Sequence, residues 1–224
     1  MDLQTAMRER HSVRRYLGRP IGDGIREELN EVIGESNVGS GLHIQLVVNE
    51  PKAFEGFMAH YGKFSGVKNY VALIGKKGDD EKIGYYGEKI ALAAQALGLN
   101  SCWVALTYKK IPSAFTLNAG EKLFCVLALG YGETQGVPHR SKTFARVASV
   151  HGVLPQWFQN GVNAALLAPT AMNQQKFVFT LKGDEVSVKA GRGFYAKVDL
   201  GIVKYHFELG SGREKYFRIG TDQG

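Results

Sequence analysis

Residues 80–97 hold the longest helical period in the chain, and their surroundings leave few folds open. Ile83, Tyr86, Ile90, Ala93, Ala94 and Leu97 recur at the three- and four-residue spacing that puts side chains on one helix face. Gly98 then supplies the residue best suited to ending such a helix. Ala91, Ala93, Ala94 and Ala96 keep the helix surface low enough for a second helix to approach closely. On either side lie short apolar runs, 70–74 and 101–106. They are too short for helices, and 70–74 is apolar without interruption, as strands are when both faces are covered.

The rest of the chain repeats this alternation. Asp2 is placed to cap a short helix with Leu3, Ala6 and Met7 on one face, which delivers the basic residues from Arg10 onward at or just past its end. A second helix starts at Asp23, carries Ile25, Leu29, Val32 and Ile33 as its apolar stripe, and frays towards Asn37. Residues 42–48 read as a strand. Pro51 suits the first turn of a helix that buries Phe54, Phe57, Met58 and Tyr61. A strand at 122–129 leads into a Gly-, Pro- and base-rich loop at 130–143. Beyond it the pattern predicts a helix at 157–167, paired strands at 176–181 and 185–189, a helix at 198–209 and a last strand at 216–219.

Helix, turn and strand thus occur in the same order twice. The expected fold class is α+β, with two similar halves of helices and antiparallel sheet, residues 1–145 and 146–220, that share one core as a diverged duplication. Residues 221–224 are expected to form a disordered tail.

With 224 residues, 44% of them apolar and 22% charged, the chain can bury a substantial core. The first twenty residues carry charges throughout and no apolar run nears the ~20 residues that span a bilayer, so neither a secretory signal nor a membrane helix is expected. The expected location is cytoplasmic. Cys102 and Cys125 sit in apolar strand-like runs and read as buried thiols. His43, His60, His139, His151 and His206 share no ligand spacing, so no metal site is expected. Residues 84–88 read as helix packing with Glu88 solvated, and Trp103 and Tyr131 as core and strand-end residues.

The net charge of +7 admits nucleic acid, an acidic surface or a small polyanion as partner. Nucleic acid would call for a basic stripe interleaved with aromatics or a recognisable binding module, and neither is evident, so no nucleic-acid or membrane partner is expected. The charge concentrates at Arg10, His11, Ser12, Val13, Arg14, Arg15 and Tyr16. Guanidinium groups carry a permanent charge and a planar donor fork that suits phosphate. Basic residues also end helices for the sake of the helix dipole, so the stretch alone is evenly divided between clamp and cap. Arg140, Ser141 and Lys142 in the later loop form a second candidate anion site. The third candidate is Ala168, Pro169, Thr170, Ala171, Met172, Asn173, Gln174 and Gln175, whose amides could equally satisfy their own turn.

Together these segments resemble the FMN-dependent nitroreductase family. The 10–14 stretch looks like that family's Arg-x-Ser-x-Arg start, and 168–177 like its Ala-Pro-Ser-x-x-Asn-x-Gln-Pro-Trp turn. Residues 97–104 are similar to its Leu-Gly-Leu-x-x-x-Trp segment, and 129–132 to its Leu-Gly-Tyr strand end. In ordinary members the small-residue turn follows the second helix, where this chain has 36–43 instead, and the resemblance is therefore to the subgroup in which a duplicated chain mimics the usual dimer. That implies a single-chain pseudo-dimer, monomeric or loosely dimeric, with a degenerate turn near Gly39 at a lost second site.

The resemblance further implies FMN as cofactor, NAD(P)H as donor, and a nitroaromatic, quinone or similar small acceptor. It assigns Arg10, His11, Ser12, Arg14, Arg140 and Lys142 to the phosphate. Pro169, Thr170, Ala171 and Asn173 fall to the flavin ring, the backbone of Ala105, Leu106 and Thr107 to its reactive edge, and Lys63 to its pyrimidine end. No catalytic side chain is expected, because such a cofactor carries the chemistry. The alternatives are another flavin reaction, or flavin binding and sensing alone, on the same fold.

Overall fold

The computed structural model describes residues 1–220, and the tail expected at 221–224 lies outside the described residues. The chain divides into two compact units, Met1–Asp79 with Lys89–Pro138, and Asp80–Glu88 with the chain from His139 onward.

In the first unit, α1 (Leu3–Glu9) is capped as expected. The Asp2 carboxylate accepts from the Thr5 backbone N–H at 2.9 Å and from its hydroxyl at 2.8 Å. Helix α2 (Asp23–Ser40) runs past Asn37 and ends at Gly41, whose φ of 72° suits only glycine well. Its polar last turn holds because the Ser36 and Ser40 hydroxyls donate to carbonyls four residues back, while the Asn37 amide exchanges two hydrogen bonds with Ile44. The 36–43 segment is therefore mostly helix rather than a turn, and strand β1 (Gln45–Val47) starts late.

Helix α3 (Phe57–Tyr61) departs from expectation. Phe57, Met58 and Tyr61 are 82%, 46% and 75% exposed, and only Ala59 of this helix is buried. The core position goes instead to Phe54, just after the Pro51–Ala53 turn, whose ring meets Phe64 edge-on at 5.2 Å and stacks with Tyr108 at 6.2 Å. Five residues offer the core one narrow face, and Ala59 occupies it. Strands β2 (Asn69–Lys76), β3 (Asn100–Val104) and β4 (Glu121–Gly130) complete an antiparallel sheet in the order β1-β2-β4-β3. Between β2 and β3 runs α4 (Asp80–Ala96), whose second half belongs to this unit. Both cysteines are buried and unbridged.

In the second unit α5 (Phe144–Val147) leads into β5 (Ala148–His151), which pairs parallel with β6 (Phe177–Lys182). Strand β6 pairs antiparallel with β7 (Glu185–Ala190). The class is α+β, but β5 is an element that periodicity did not reveal: four residues of mixed polarity leave little signal. The expected strand at 216–219 is absent. Tyr216 instead packs its ring near Trp157 and Phe207, donates its hydroxyl to the Asp184 carbonyl at 2.9 Å and accepts from the Val186 N–H.

Helices α6 (Gln156–Ala165) and α7 (Ala196–Ser211) cover the sheet through Phe158, Phe179 and Phe207, the last two stacked at 4.8 Å. Gly161 makes room, since a Cβ there would stand 2.7 Å from the Phe207 ring. The first half of α4 crosses α7 backbone to backbone at Gly84 and Gly201, where added Cβ atoms would strike the Val198 and Glu81 carbonyls. Glycine, rather than the alanines further along, permits this approach. Around the crossing, Lys204 pairs with Glu81 at 2.6 Å and Tyr85 donates to Glu208 at 2.5 Å. Glu88 was expected in solvent. It is fully buried, 2.9 Å from the equally buried His206 ring, because the helix is covered on this face too.

Candidate functional site

After α1 the chain turns extended at Arg10 and lies along the open edge of β3. Ser12 forms a parallel bridge with Ser101, and the Val13 N–H donates to the Ser101 carbonyl at 3.1 Å. Just beyond, Arg14 and Tyr16 exchange backbone hydrogen bonds with Ser65 at 3.0 and 2.9 Å. The apolar members of the stretch, Val13 and Tyr16, point into the core. This alternation, legible in the sequence only as Val and Tyr among bases, is what holds the arginines in register. Arg10 is buried to 3% exposure, whereas Arg14 is exposed with its guanidinium 6.0 Å from the Phe64 ring centre. Gly66 seals the contact: at φ 68° a side chain there would run into the Tyr16 carbonyl.

The electrostatics of this edge favour anions. Burial pushes the Cys102 thiol up, although Arg14, Arg10 and a hydrogen bond from Ser12 pull the other way. Burial likewise holds the Tyr16 hydroxyl well above its ordinary value. Neither group contributes a negative charge near neutral pH, so neither offsets the guanidiniums. The strand-end residues come to the same neighbourhood. Residues 105–108 bend away from β3, and Thr107 lies against Gly62, where a Cβ would be 2.7 Å from its side chain. Lys63 follows in a left-handed conformation, φ 62°, with its side chain exposed. Arg10, His11, Ser12, Arg14, Lys63, Ala105, Leu106 and Thr107 thus all belong to the first unit. The first part of the 130–138 loop returns here too, with Gly136 against the His11 side chain and Gly132 bridged to Tyr16.

The remaining candidates gather in the second unit. The Lys142 ammonium donates to the Gln174 and Gln175 carbonyls at 2.9 and 2.7 Å. The Arg140 carbonyl accepts from the Asn173 and Gln175 amides, each at 2.8 Å. Gln175 also donates from its side-chain amide to the Asn173 side-chain oxygen and from its backbone N–H to the Thr170 hydroxyl oxygen. These bonds tie the 140–142 loop to the turn that begins at Pro169 and Thr170. Met172, Asn173 and Gln175 all adopt φ between 45° and 51°, a conformation that costs about 1 to 3 kcal/mol per residue without such support. The Arg140 side chain itself is exposed.

Sequence reasoning missed Asp199. From the first turn of α7 its carboxylate accepts from the Ala171 N–H at 2.8 Å and from the Gln174 amide at 2.6 Å, which anchors the strained turn. Burial raises its pKa to about 6 against the lowering effect of those two donors. An acidic residue in the first turn of a helix reads as an ordinary dipole contact, so no sequence signal distinguishes it. Among the described residues no group of three or more His, Cys, Asp or Glu side chains is placed to hold a metal ion, and no helix is long and apolar enough to cross a membrane.

A family model described as "Putative TM nitroreductase" matches residues 2–211. Among solved structures, a nitroreductase of Thermotoga maritima is similar over 96% of this chain and 85% of its own, at 21% identity and a TM-score of 0.66. A nitroreductase of Desulfovibrio desulfuricans, solved in complex with FMN, is similar over 65% of this chain and 94% of its own, at 18% identity and a TM-score of 0.52. The curated proteins hold no match to the chain.

Proposed function

The chain belongs to the nitroreductase family whose model spans residues 2–211, and from that premise we propose that it is an FMN-dependent oxidoreductase that passes electrons from NAD(P)H to a small aromatic or quinone acceptor. The family match carries the reading. The donor set of the first unit suits the cofactor: permanent cations and a hydroxyl along one strand edge, with backbone that bends away from the sheet and an exposed lysine where β3 ends. The Desulfovibrio relative, of the same fold, binds FMN.

In this reading Arg10, Ser12 and Arg14 hold the phosphate, with the His11 backbone beside them. Charge-assisted hydrogen bonds contribute ~1.5 to 3 kcal/mol each, and guanidinium groups keep their charge at every physiological pH. The backbone of Ala105, Leu106 and Thr107 orients the reactive edge of the ring. Lys63 places positive charge where a reduced ring becomes anionic. The chemistry that bound FMN supplies is hydride acceptance and electron delivery, so the protein contributes orientation, charge and access. Lys142 and Asn173 are committed to their own turn, and we assign them the task of shaping it. The recurrence of helix, turn and strand supports a duplicated origin for the chain.

The visible absorption spectrum of the purified protein is the direct test. A flavin band, with NAD(P)H oxidation once a nitro or quinone acceptor is added, is the expected result. A colourless protein that takes up no added FMN refutes the proposal, and a yellow protein without turnover leaves flavin binding alone.

A further inference from the structure

We propose that Phe57 and Tyr61 of α3, with Leu106 across from them, form a platform for the electron acceptor, and that the acceptor is a planar aromatic carrying an acidic group. This rests on the oxidoreductase reading above. Phe57 and Tyr61 stand four residues apart on one helical turn, so both rings share a face, and that face is in solvent, 82% and 75% exposed. Leu106 is 62% exposed on the facing segment. Both segments are held from beneath. Phe54, Phe64 and Tyr108 pack together in the core, the Lys109 N–H donates to the Ala53 carbonyl at 2.8 Å, and Thr107 abuts Gly62. The exposed side chains therefore sit on a fixed support, next in sequence to Lys63 and Thr107.

The charge around this surface selects the ligand. Lys52, Lys63, Lys109 and Lys110 are all exposed on the two segments, against two carboxylates there, Glu50, which caps the Pro51–Ala53 turn, and Glu55. A flat apolar molecule gains from the aromatic face, and an acidic substituent gains from the lysines. In the reaction a quinone acceptor gains the two electrons and the proton that leave NAD(P)H as hydride, takes a second proton from water and becomes the hydroquinone, while NAD(P)H becomes NAD(P)+.

Two measurements test this, with 1,4-naphthoquinone-2-sulfonate and uncharged 1,4-naphthoquinone as probes. In a Phe57→Ala/Tyr61→Ala variant, KM for the sulfonate rises roughly tenfold and its binding in equilibrium dialysis weakens alike, while flavin content and NAD(P)H oxidation by dioxygen stay as in the parent. In the parent, the sulfonate shows the lower KM at low salt and loses that advantage at high salt. Unchanged KM and binding in the variant overturn the platform, and equal KM values for the two quinones at low salt overturn the acidic preference. Failure of the oxidoreductase reading is distinct: the parent then oxidises NAD(P)H with neither quinone nor dioxygen, and the platform falls with it.

Discussion

At the scale of single residues, Arg14 and Asp199 lead to opposite kinds of test. Arg14 is exposed and packs only loosely over Phe64, so Arg14→Ala leaves the fold intact. If it holds phosphate, FMN affinity falls about tenfold to a hundredfold, the equivalent of one or two charge-assisted hydrogen bonds, and a flavin titration measures it. Undiminished affinity removes Arg14 from the proposed clamp. Asp199 is buried, and its carboxyl is raised to about 6 from 3.8. A folded state that holds its proton more tightly than the unfolded chain gains stability below pH ~4 and loses it as pH rises through 6. Asp199→Asn is free of that loss, so its unfolding free energy should improve relative to the parent between pH 4 and 7, by up to about 3 kcal/mol, as denaturant unfolding at each pH would show. Parallel pH curves would show that Asp199 does not titrate there. Of these two residues only Arg14 was legible in the sequence, because a cluster of bases is visible in one dimension. Asp199 acts on a turn 28 residues away, and its spacing carries no sign of that.

Among the elements, the crossing of α4 and α7 shows what periodicity captures and what it leaves out. The spacing of Ile83, Tyr86 and Ile90 located the helix, yet it assumed one buried face. The element is covered on more than one side, and Glu88 with His206 is consequently a fully buried pair rather than a solvated carboxylate. The His206 ring meets the Ala164 carbonyl at Nδ1, which requires an N–H there, and the Glu88 carboxylate at Nε2, so both ring nitrogens are used in the core. Glu88→Ala removes the buried partner of His206 Nε2 and should cost about 3 to 5 kcal/mol in denaturant unfolding. A loss below 1 kcal/mol would mean that solvent reaches the pair. Gly201→Ala tests the crossing itself: a methyl group against the Glu81 carbonyl must separate the helices, at a cost of about 1 to 3 kcal/mol. Helix α3 makes the complementary point, since its aromatic spacing resembled a core face and belongs to a surface.

For the molecule as a whole, charge is the property that function would use. A net +7 raises the local concentration of anions, and FMN is a dianion at its phosphate. FMN should therefore bind more weakly as salt rises, while riboflavin, without phosphate, should show much less salt dependence. Equal dependence would remove the phosphate from the recognition. Read alone, the sequence determined the α+β class, most helix and strand positions, the burial of both cysteines and the family resemblance, because each follows from local spacing or from short motifs of fixed order. Only the tertiary structure decided which helix faces were covered, that β5 exists and runs parallel to β6, that 216–219 forms no strand, and that Lys142, Asn173 and Asp199 spend their polar groups on one strained turn. Those outcomes depend on which distant segments come to share a surface, and a one-dimensional pattern records the residues but not their neighbours.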